Sequence, residues 1–332
     1  MNISKKRCER DATVGEFFLS LVDYRNNLFT SNNPDDIMKF YESFQTRDDL
    51  IGWMQERPKG AAYIREVEGT KDIVVVIPTA DFNGKYAKEC RENIFKGLHI
   101  IFVESGEVSD PYFNYAHNCN VGIRKAMEYN PEWVVVSNDD MYKIDDVEIL
   151  RSELAMVSPN KIDVLFNSDP KSCRRWTQLS IPNLLWKFAV KLSFRKTPSL
   201  VNKLMVRFNS KLVWSHYGSP FHRIGYKFQD IGPFGIFSSE FLSKRKNQLY
   251  DEAYINGVED MDLSIYVKET ASIAYINYNI SSYDKEHPFG GATIGTGSCR
   301  KLRDVANQIY LNYKTEKGWL DLNKDLTVSR FI

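Results

Sequence analysis

Two pairs of acidic residues are the side chains in this 332-residue chain best suited to chemistry. The first pair, Asp139 and Asp140, follows the apolar run 133–136, which Pro131 bounds on its other side. Such a run predicts a buried strand of a mainly parallel sheet. Sheets of this kind bind ligands beyond the carboxyl ends of their strands, where one or two carboxylates can hold a divalent cation that carries a diphosphate. The pattern therefore predicts a metal and nucleotide site, with capping of a following helix as the simpler alternative.

The second pair, Glu259 and Asp260, stands where a polar segment ends and a predicted helix begins. Carboxylates are favoured at that position by the exposed amides and by the positive end of the helix dipole, so simple capping is again the alternative. A further acidic pair, Asp251 and Glu252, lies shortly before it. The repeated pairing favours a chemical role for this segment over capping alone.

The elements that position these residues alternate between strands and helices. Apolar, β-branched runs predict strands at 73–79, 99–103, 133–137 and 161–167, and helices are predicted at about 83–96, 114–129 and 145–157. Later segments predict a short strand after Pro233, a helix from Glu259, a strand over 273–280 and a C-terminal helix from about 302. This order predicts an α/β fold with a doubly wound, mainly parallel sheet flanked by helices. No GxGxxG sequence follows the first strand, which removes the main support for a dinucleotide-binding domain.

The N-terminal segment has a different pattern. Apolar residues recur at helical spacing, Asn33 and Pro34 form a helix-start signal, and Thr46 with Asp49 resembles a capping box. We therefore predict a helical N-terminal extension (1–70), a main domain (71–300) and a C-terminal helix and tail (301–332).

An insertion at 171–229 departs sharply from the rest of the chain in composition. It contains twelve lysines and arginines, interleaved with aromatic and aliphatic residues, and no aspartate or glutamate. This composition is typical of an interfacial amphipathic helix or of a groove for an anionic partner. The alternative, which the pattern leaves open, is an insertion whose apolar side packs on the core while its lysines stay solvated.

The bulk composition excludes several classes of protein. The five cysteines are scattered without a CxxC pair, which argues against a zinc site or a disulfide framework and favours a reducing cytosol. No run approaches the ~20 apolar residues of a membrane span, and no signal peptide follows the basic N-terminus. We expect a cytoplasmic protein, or one that rests peripherally on the cytoplasmic face of a membrane.

Several separated motifs follow one another along the chain: Val76 to Thr79, Val103 to Gly106, Asn120 to Gly122, Asn138 to Asp140, and Tyr250 to Glu252 followed by Glu259 to Leu263. In this order they resemble the motifs of the inverting family 2 glycosyltransferases of the GT-A fold, a Rossmann-like fold. The resemblance covers about 73–297 and leaves the N-terminal extension and the insertion outside it.

The resemblance implies roles for individual residues. Asp140 is expected to bind a metal ion, and Asp139 to lie near the ribose or the donor sugar. Asp260 is expected to be the catalytic base, with Glu259 as its orienting partner or as a contact of the donor sugar. His287 stands where many members of the family have a histidine that completes the metal site.

The same resemblance implies a nucleotide site. Pro78 and Thr79 belong to the turn that sits against the base, and Glu104 and Ser105 occupy the acidic end of the second strand, where Ser105 replaces an expected acid. Asn120 belongs to the Asn-x-Gly motif of the helix before the metal strand.

Together these roles imply transfer of a sugar from a nucleotide-diphosphate sugar, with Mg²⁺ or Mn²⁺ as cofactor and inversion at the anomeric carbon. An imidazole ligand would favour Mn²⁺. The acceptor would be a hydroxyl of a glycan or of a polyprenyl-linked glycan, and the insertion 171–229 would then seat the enzyme on an anionic membrane face.

Three alternatives compete with this hypothesis. A sugar-nucleotide pyrophosphorylase would need a glycine-rich basic loop after the first strand, which residues 79–82 do not provide. A nucleic-acid or anionic-lipid binding module could use the cations of the insertion and its tryptophans, Trp176, Trp186 and Trp214, but nucleic acid is disfavoured because both acidic motifs would stay unused. A catalytically inactive relative is also compatible with two departures from the family's pattern: Asn138 replaces the first acid of its Asp-x-Asp motif, and Ser105 replaces an expected acid.

Overall fold

The structure is a computed structural model that describes residues 33–105, 112–167, 231–282 and 298–317, with short pieces at 173–175, 178–179, 186–187, 222–223 and 227–229. The helices are α1 (Pro34–Glu42), α2 (Arg47–Glu56), α3 (Lys85–Glu89, continued by a π-helical turn, Cys90–Ile94), α4 (Tyr115–Met127), α5 (Val147–Ala155), α6 (Ser239–Lys244), α7 (Glu259–Thr270) and α8 (Ser298–Glu316). The strands are β1 (Ala62–Val67), β2 (Thr70–Thr79), β3 (Leu98–Ser105), β4 (Trp133–Ser137), β5 (Met141–Lys143), β6 (Val164–Asn167), β7 (Cys173–Arg175), β8 (Gln178–Leu179), β9 (His222–Arg223), β10 (Lys227–Gln229), β11 (Phe234–Ser238), β12 (Ile273–Ile276) and β13 (Ile280–Ser282).

A seven-stranded mixed sheet forms the centre of the molecule, in the order β1-β3-β2-β4-β11-β6-β12. Strands β3, β2 and β4 run parallel, and so do β6 and β12. Strand β11 is antiparallel to both β4 and β6, and β1 is antiparallel to β3 at the edge. The predicted α/β class is confirmed, and helix-flanked parallel strands of this kind are compatible with a Rossmann-like fold.

The central strands are buried on both faces, which explains why their sequences are continuously apolar. In β2, Ile73, Val75 and Ile77 pack in the core on one face of the sheet. Val74 and Val76 pack in the core on the other face. Strand β4 divides its side chains in the same alternating way, so neither strand has a solvated face.

Helices α1, α2 and α8 form a third apolar core together with the loop that precedes α7. The two predicted helix starts are present: Asn33 Oδ1 accepts the N–H of Asp35 at 3.0 Å, and Thr46 and Asp49 form a reciprocal capping box. The helical prediction for the first 70 residues is wrong at its end, because Ala62–Val67 is strand β1, which pairs with β3 along its full length.

Three further predictions need correction or refinement. Asp139 and Asp140 do not cap a helix, because the short strand β5 follows them and pairs with β13. The predicted strand at 273–280 is two strands, β12 and β13, that belong to different sheets. The sheet is also less uniformly parallel than expected, because β1 and β11 run against the others.

The described pieces of the insertion lie against the body of the protein. Strand β7 pairs with β10 and β8 pairs with β9, while β10 contacts α7 and β8 contacts α8. Trp186 is 3% exposed and belongs to the core of α1, α2 and α8. Trp186 therefore agrees with the alternative in which the apolar side of the insertion packs on the core.

Within the described part of the chain, no helix combines the length and apolar character that a bilayer crossing requires.

Gly122 lets α4 pack closely on the sheet. A Cβ atom at this position would lie 2.4 Å from Val76 Cγ1 and 2.9 Å from Val103 Cγ2, whereas a Cβ at Gly52, in the interior of α2, would meet nothing within 4 Å. We expect Gly122→Ala to lower the free energy of unfolding by about 1–3 kcal/mol through overpacking. We expect the matched Gly52→Ala to raise it by about 0.5–1 kcal/mol, because alanine loses less backbone entropy in a helix.

Urea unfolding of both variants measures the two effects. Equal changes in the two proteins would contradict the close approach of α4 to β2 and β3.

Candidate functional site

The carboxyl ends of β2 and β4 meet through a direct hydrogen bond. Thr79, the last residue of β2, donates its hydroxyl to Asp139 Oδ2 at 2.7 Å. The buried thiol of Cys90 donates to the carbonyl oxygen of Asp139 at 3.3 Å. Strand β2 therefore ends directly beside the acidic turn that follows β4, as expected for neighbouring parallel strands.

Asp139 and Asp140 form a poorly hydrated carboxylate pair. Asp140 is 4% exposed. Burial raises the pKa of Asp139 to about 6, the hydrogen bond from Thr79 opposes the rise, and the charge of Asp140 adds to it. Two adjacent carboxylates in such surroundings are costly to keep ionised without a cation.

The chemistry of this turn suits a hard divalent cation. Asp139, Asp140 and Thr79 offer oxygen atoms alone, and Mg²⁺ or Mn²⁺ in nucleotide sites uses one or two protein carboxylates and takes further oxygens from phosphates and water. Among the described residues no group of three or more His, Cys, Asp or Glu side chains has an arrangement that could hold a metal ion. The predicted ligand His287, and the glycine-containing loop after it, lie outside the described ranges.

The predicted base-contacting residues lie at the same edge of the sheet. Ser105, at the end of β3, donates its hydroxyl to the carbonyl of Thr79 at 3.3 Å. Glu104 accepts the N–H of Phe82 at 3.1 Å and the guanidinium Nε of Arg65, also at 3.1 Å. Glu104 thus holds the loop that follows β2. Pro78 is paired in the sheet with Val103, one residue before Glu104.

Asn120 lies elsewhere, against the segment 249–262. We call this segment the acceptor segment, because it contains Asp260, the base predicted to act on the hydroxyl of the acceptor substrate. Its Oδ1 accepts the N–H groups of Leu249 and Tyr250 at 2.9 and 3.0 Å. Its Nδ2 donates to the carbonyl of Tyr250 at 2.8 Å and to Glu252 Oε1 at 3.0 Å. These four bonds use the whole hydrogen-bonding capacity of an amide side chain, so Asn120 supports the acceptor segment and has none left for a nucleotide.

The first turn of α4 holds the same segment at two further points. Asn114 caps α4 by accepting the N–H of His117 at 2.8 Å, while its Nδ2 donates to the carbonyls of Glu252 and Tyr254 at 2.8 and 3.1 Å. The N–H of Tyr115 donates to Asn256 Oδ1 at 2.8 Å. The sequence predicted a helix start near Asn114 but did not indicate this second role.

Tyr115 contacts both the turn after β4 and the segment that precedes α7. Its hydroxyl donates to Asn138 Oδ1, in the residue before Asp139, at 2.8 Å. Its backbone N–H donates to Asn256 Oδ1, three residues before Glu259, at 2.8 Å. Burial raises the pKa of the Tyr115 hydroxyl. The sequence did not indicate Tyr115, because a tyrosine in a first helical turn carries no motif.

Three acids of the acceptor segment contact basic side chains. Asp251 and Asp262 both contact Lys314. Glu252 pairs with Nδ1 of His117 at 2.9 Å; burial raises its pKa, but the bonds from His117 and Asn120 outweigh burial and hold the pKa below its usual value.

Glu259 and Asp260 begin α7 immediately after a strained residue. Val258 has φ 74°, a left-handed conformation that β-branched residues rarely adopt and that persists only where the surroundings impose it. Glu259 is buried. Asp260 is half-buried, and its Oδ1 accepts the N–H of the next residue, Met261, at 2.8 Å.

The chain matches no protein-family model, and a search of curated proteins finds no significant match. The class of the protein therefore follows from its own fold and site. It is an α/β protein with an acidic turn at the carboxyl end of β4 and a second acidic motif at the start of α7.

Proposed function

We propose that this protein is a metal-dependent inverting glycosyltransferase of the GT-A fold that moves a sugar from a nucleotide-diphosphate sugar to a hydroxyl of a glycan or lipid-linked acceptor. The observation that carries the proposal is the bridge formed by Tyr115. Its hydroxyl contacts Asn138 at 2.8 Å, and its backbone N–H contacts Asn256, three residues before Glu259, at 2.8 Å. A transferase of this kind needs its phosphate-handling and hydroxyl-handling groups at one cleft, and the bridge supports that arrangement.

The placement of the acidic turn agrees with a nucleotide site. Open α/β sheets bind ligands at the carboxyl ends of their strands. Thr79, Ser105 and Asp139 stand at the ends of β2, β3 and β4, and they are linked by hydrogen bonds of 2.7 and 3.3 Å through Thr79. A divalent cation bound at Asp140, with Asp139 beside it, would supply Lewis-acid stabilisation of the departing diphosphate.

Asp260 is the acid in the acceptor segment that best fits the role of base. Asp251, Glu252 and Asp262 are engaged with Lys314 or His117, and Glu259 is buried. Asp260 is half-buried, and its described hydrogen bond is to a neighbouring backbone amide. In the proposed reaction Asp260 takes the proton of the acceptor hydroxyl while the oxygen attacks the anomeric carbon opposite the diphosphate. A single displacement of this kind inverts the configuration.

A thermal-shift screen tests the donor side. We expect one nucleoside diphosphate to stabilise the wild type in the presence of Mn²⁺ or Mg²⁺, by about 2.7 kcal/mol at a hundred times its Kd, and much less in EDTA. Asp140→Asn is expected to abolish the metal-dependent part. The matched control is Asp72→Asn, an exposed aspartate at the opposite end of β2, which should leave the shift intact.

The absence of stabilisation by every nucleoside diphosphate, with either metal, would count against the proposed donor class. An undiminished shift in Asp140→Asn would remove Asp140 from the metal site.

The insertion 171–229 extends the proposal to a membrane surface. Its twelve basic residues and absence of acids would attract an anionic leaflet, at about 1 kcal/mol per lysine or arginine near the surface. We expect the wild type to co-sediment with vesicles that contain anionic lipid and to be released by salt. A variant with the basic residues reversed in charge should stay in the supernatant. Equal co-sedimentation with neutral and anionic vesicles would contradict this role.

A further inference from the structure

Helix α8 is bonded to the acceptor segment at three points. Asn307 Oδ1 accepts the N–H of Ile255 at 2.8 Å, and its Nδ2 donates to the carbonyl of the same residue at 3.0 Å. Lys314 Nζ contacts Asp251 Oδ2 at 2.9 Å and Asp262 Oδ2 at 2.5 Å. These contacts span more than fifty residues of sequence, so they are tertiary in origin.

The contacts are largely buried and include ionised groups. Asn307 and Lys314 are both 0% exposed, and the hydroxyl of Tyr310 donates to Asp251 at 3.0 Å. Burial lowers the pKa of Lys314, but the two aspartates outweigh burial and hold it above its usual value. Apolar side chains of similar volume would attach a helix at less desolvation cost. The polar attachment therefore fixes the position of the acceptor segment, and it is not the arrangement that would stabilise the fold most.

The anchored points bracket the second acidic motif. Ile255 and Asp251 precede Val258, and Asp262 follows Asp260 within the first turn of α7. The left-handed Val258 lies between the anchors, and its strained conformation requires support from its surroundings. Contacts from α8 on both sides of this residue provide such support.

We infer that α8 is part of the acceptor half of the site, where Asn307 and Lys314 are positioning residues for Glu259 and Asp260. For the chemical role of those two acids, the inference rests on the proposed function. Helix α8 lies beyond the part of the sequence that resembles the glycosyltransferase motifs, so this role belongs to the chain's own structure. We expect donor binding at the ends of β2 and β4 to be independent of α8.

Amide hydrogen exchange tests the positioning role without an activity assay. Asn307→Ala should speed exchange across 249–263 about tenfold or more, while the amides of β2 and β4 stay within about twofold of the wild type. Tyr310→Phe, which removes one bond to Asp251, should produce a smaller change in the same region. Tyr313→Phe is the matched control on the same helix, because its ring faces Arg47 and Lys317. Uniformly faster exchange, or none in 249–263, would overturn the inference.

Kinetics separate positioning from loss of the donor site. In Asn307→Ala we expect kcat for release of nucleoside diphosphate from the nucleotide sugar to fall about tenfold or more, with the KM for the donor and its Mn²⁺-dependent thermal shift within about twofold. A raised donor KM with unchanged kcat would contradict the assignment of α8 to the acceptor half. Failure of the proposed function would appear separately, as the absence of any nucleoside-diphosphate shift in the wild type; the exchange comparison would then decide alone whether α8 positions the segment.

Discussion

Asp260→Asn is expected to lower kcat for sugar transfer by about 10²–10⁴-fold, the usual contribution of a positioned general base. Asparagine preserves the shape of the side chain and its capacity to accept the N–H of Met261, which Asp260 Oδ1 accepts at 2.8 Å. The substitution removes the capacity to take a proton. The loss should therefore fall on kcat, while the metal-dependent shift produced by the nucleoside diphosphate stays unchanged.

The matched control is Glu269→Gln, near the far end of the same helix, where the side chain pairs with Lys268 at 3.4 Å. It removes one acid from α7 without touching the start of the helix, and we expect wild-type kcat. A steady-state assay with saturating donor and acceptor measures kcat for both variants. Activity of Asp260→Asn within a few-fold of the control would transfer the base role to another group, with Glu259 the first to test.

Lys314→Met is expected to lower the free energy of unfolding by about 3–5 kcal/mol, whatever the function of the protein. The ammonium group is 0% exposed and contacts Asp251 and Asp262. Methionine fills a similar volume but removes the ammonium group that contacts both Asp251 and Asp262, which are largely buried. The loss therefore reflects uncompensated charge rather than a cavity.

The pH dependence identifies this cause. In the wild type, burial raises the pKa of Asp251, but Lys314 outweighs burial and holds it below its usual value. Asp251 therefore stabilises the fold above its unfolded pKa of about 3.9, and this contribution is lost as the pH falls through the lower folded value. Burial raises the pKa of Asp262, although the charge of Lys314 lowers it in part. The raised pKa of Asp262 opposes part of the stabilisation that Asp251 provides.

Without Lys314, burial dominates for both aspartates, so the folded protein binds protons more tightly than the unfolded chain. The stability of Lys314→Met should then fall as the pH rises above about 4, and the gap to the wild type should widen towards pH 7. Urea unfolding between these values measures the gap. A gap independent of pH would point to lost packing instead.

Lys244→Met is the matched control for this comparison. Lys244 also contacts two carboxylates, Glu240 at 2.9 Å and Asp163 at 3.8 Å, but its side chain is 61% exposed. Exposed ion pairs contribute about 0–1 kcal/mol, so we expect a small change with little dependence on pH. A similar loss in both variants would show that burial of Lys314 is not the reason for its effect.

Local signals in the sequence were enough to predict the elements that surround the site. The continuous apolar runs predicted β2, β3 and β4, because strands buried on both faces need no alternation. Asn33 and Thr46 predicted two helix starts correctly, since a side-chain cap is a contact within four residues. The edge strand β1 was missed because its exposed, mixed side chains carry no such pattern.

Signals for the supporting residues were present in part. Asn307, Tyr310 and Lys314 recur at three- and four-residue intervals, which places them on one face of α8. Lys314 lies on the same face as Tyr310 and Ala306. A lysine at such a position is either at the solvent-exposed border of the apolar face or in a buried ion pair, and the sequence alone does not distinguish the two. The partners, Asp251 and Asp262, lie more than fifty residues away.

By itself the sequence determined the α/β class, the strands β2, β3 and β4, and the two acidic motifs, because each depends on interactions between near neighbours. Only the tertiary structure decided that β11 runs antiparallel between β4 and β6, that Asn120 supports the acceptor segment, and that Tyr115 and α8 bring distant parts of the chain to the start of α7. Contacts of this kind follow from how whole elements pack, and residue spacing along the chain does not encode them.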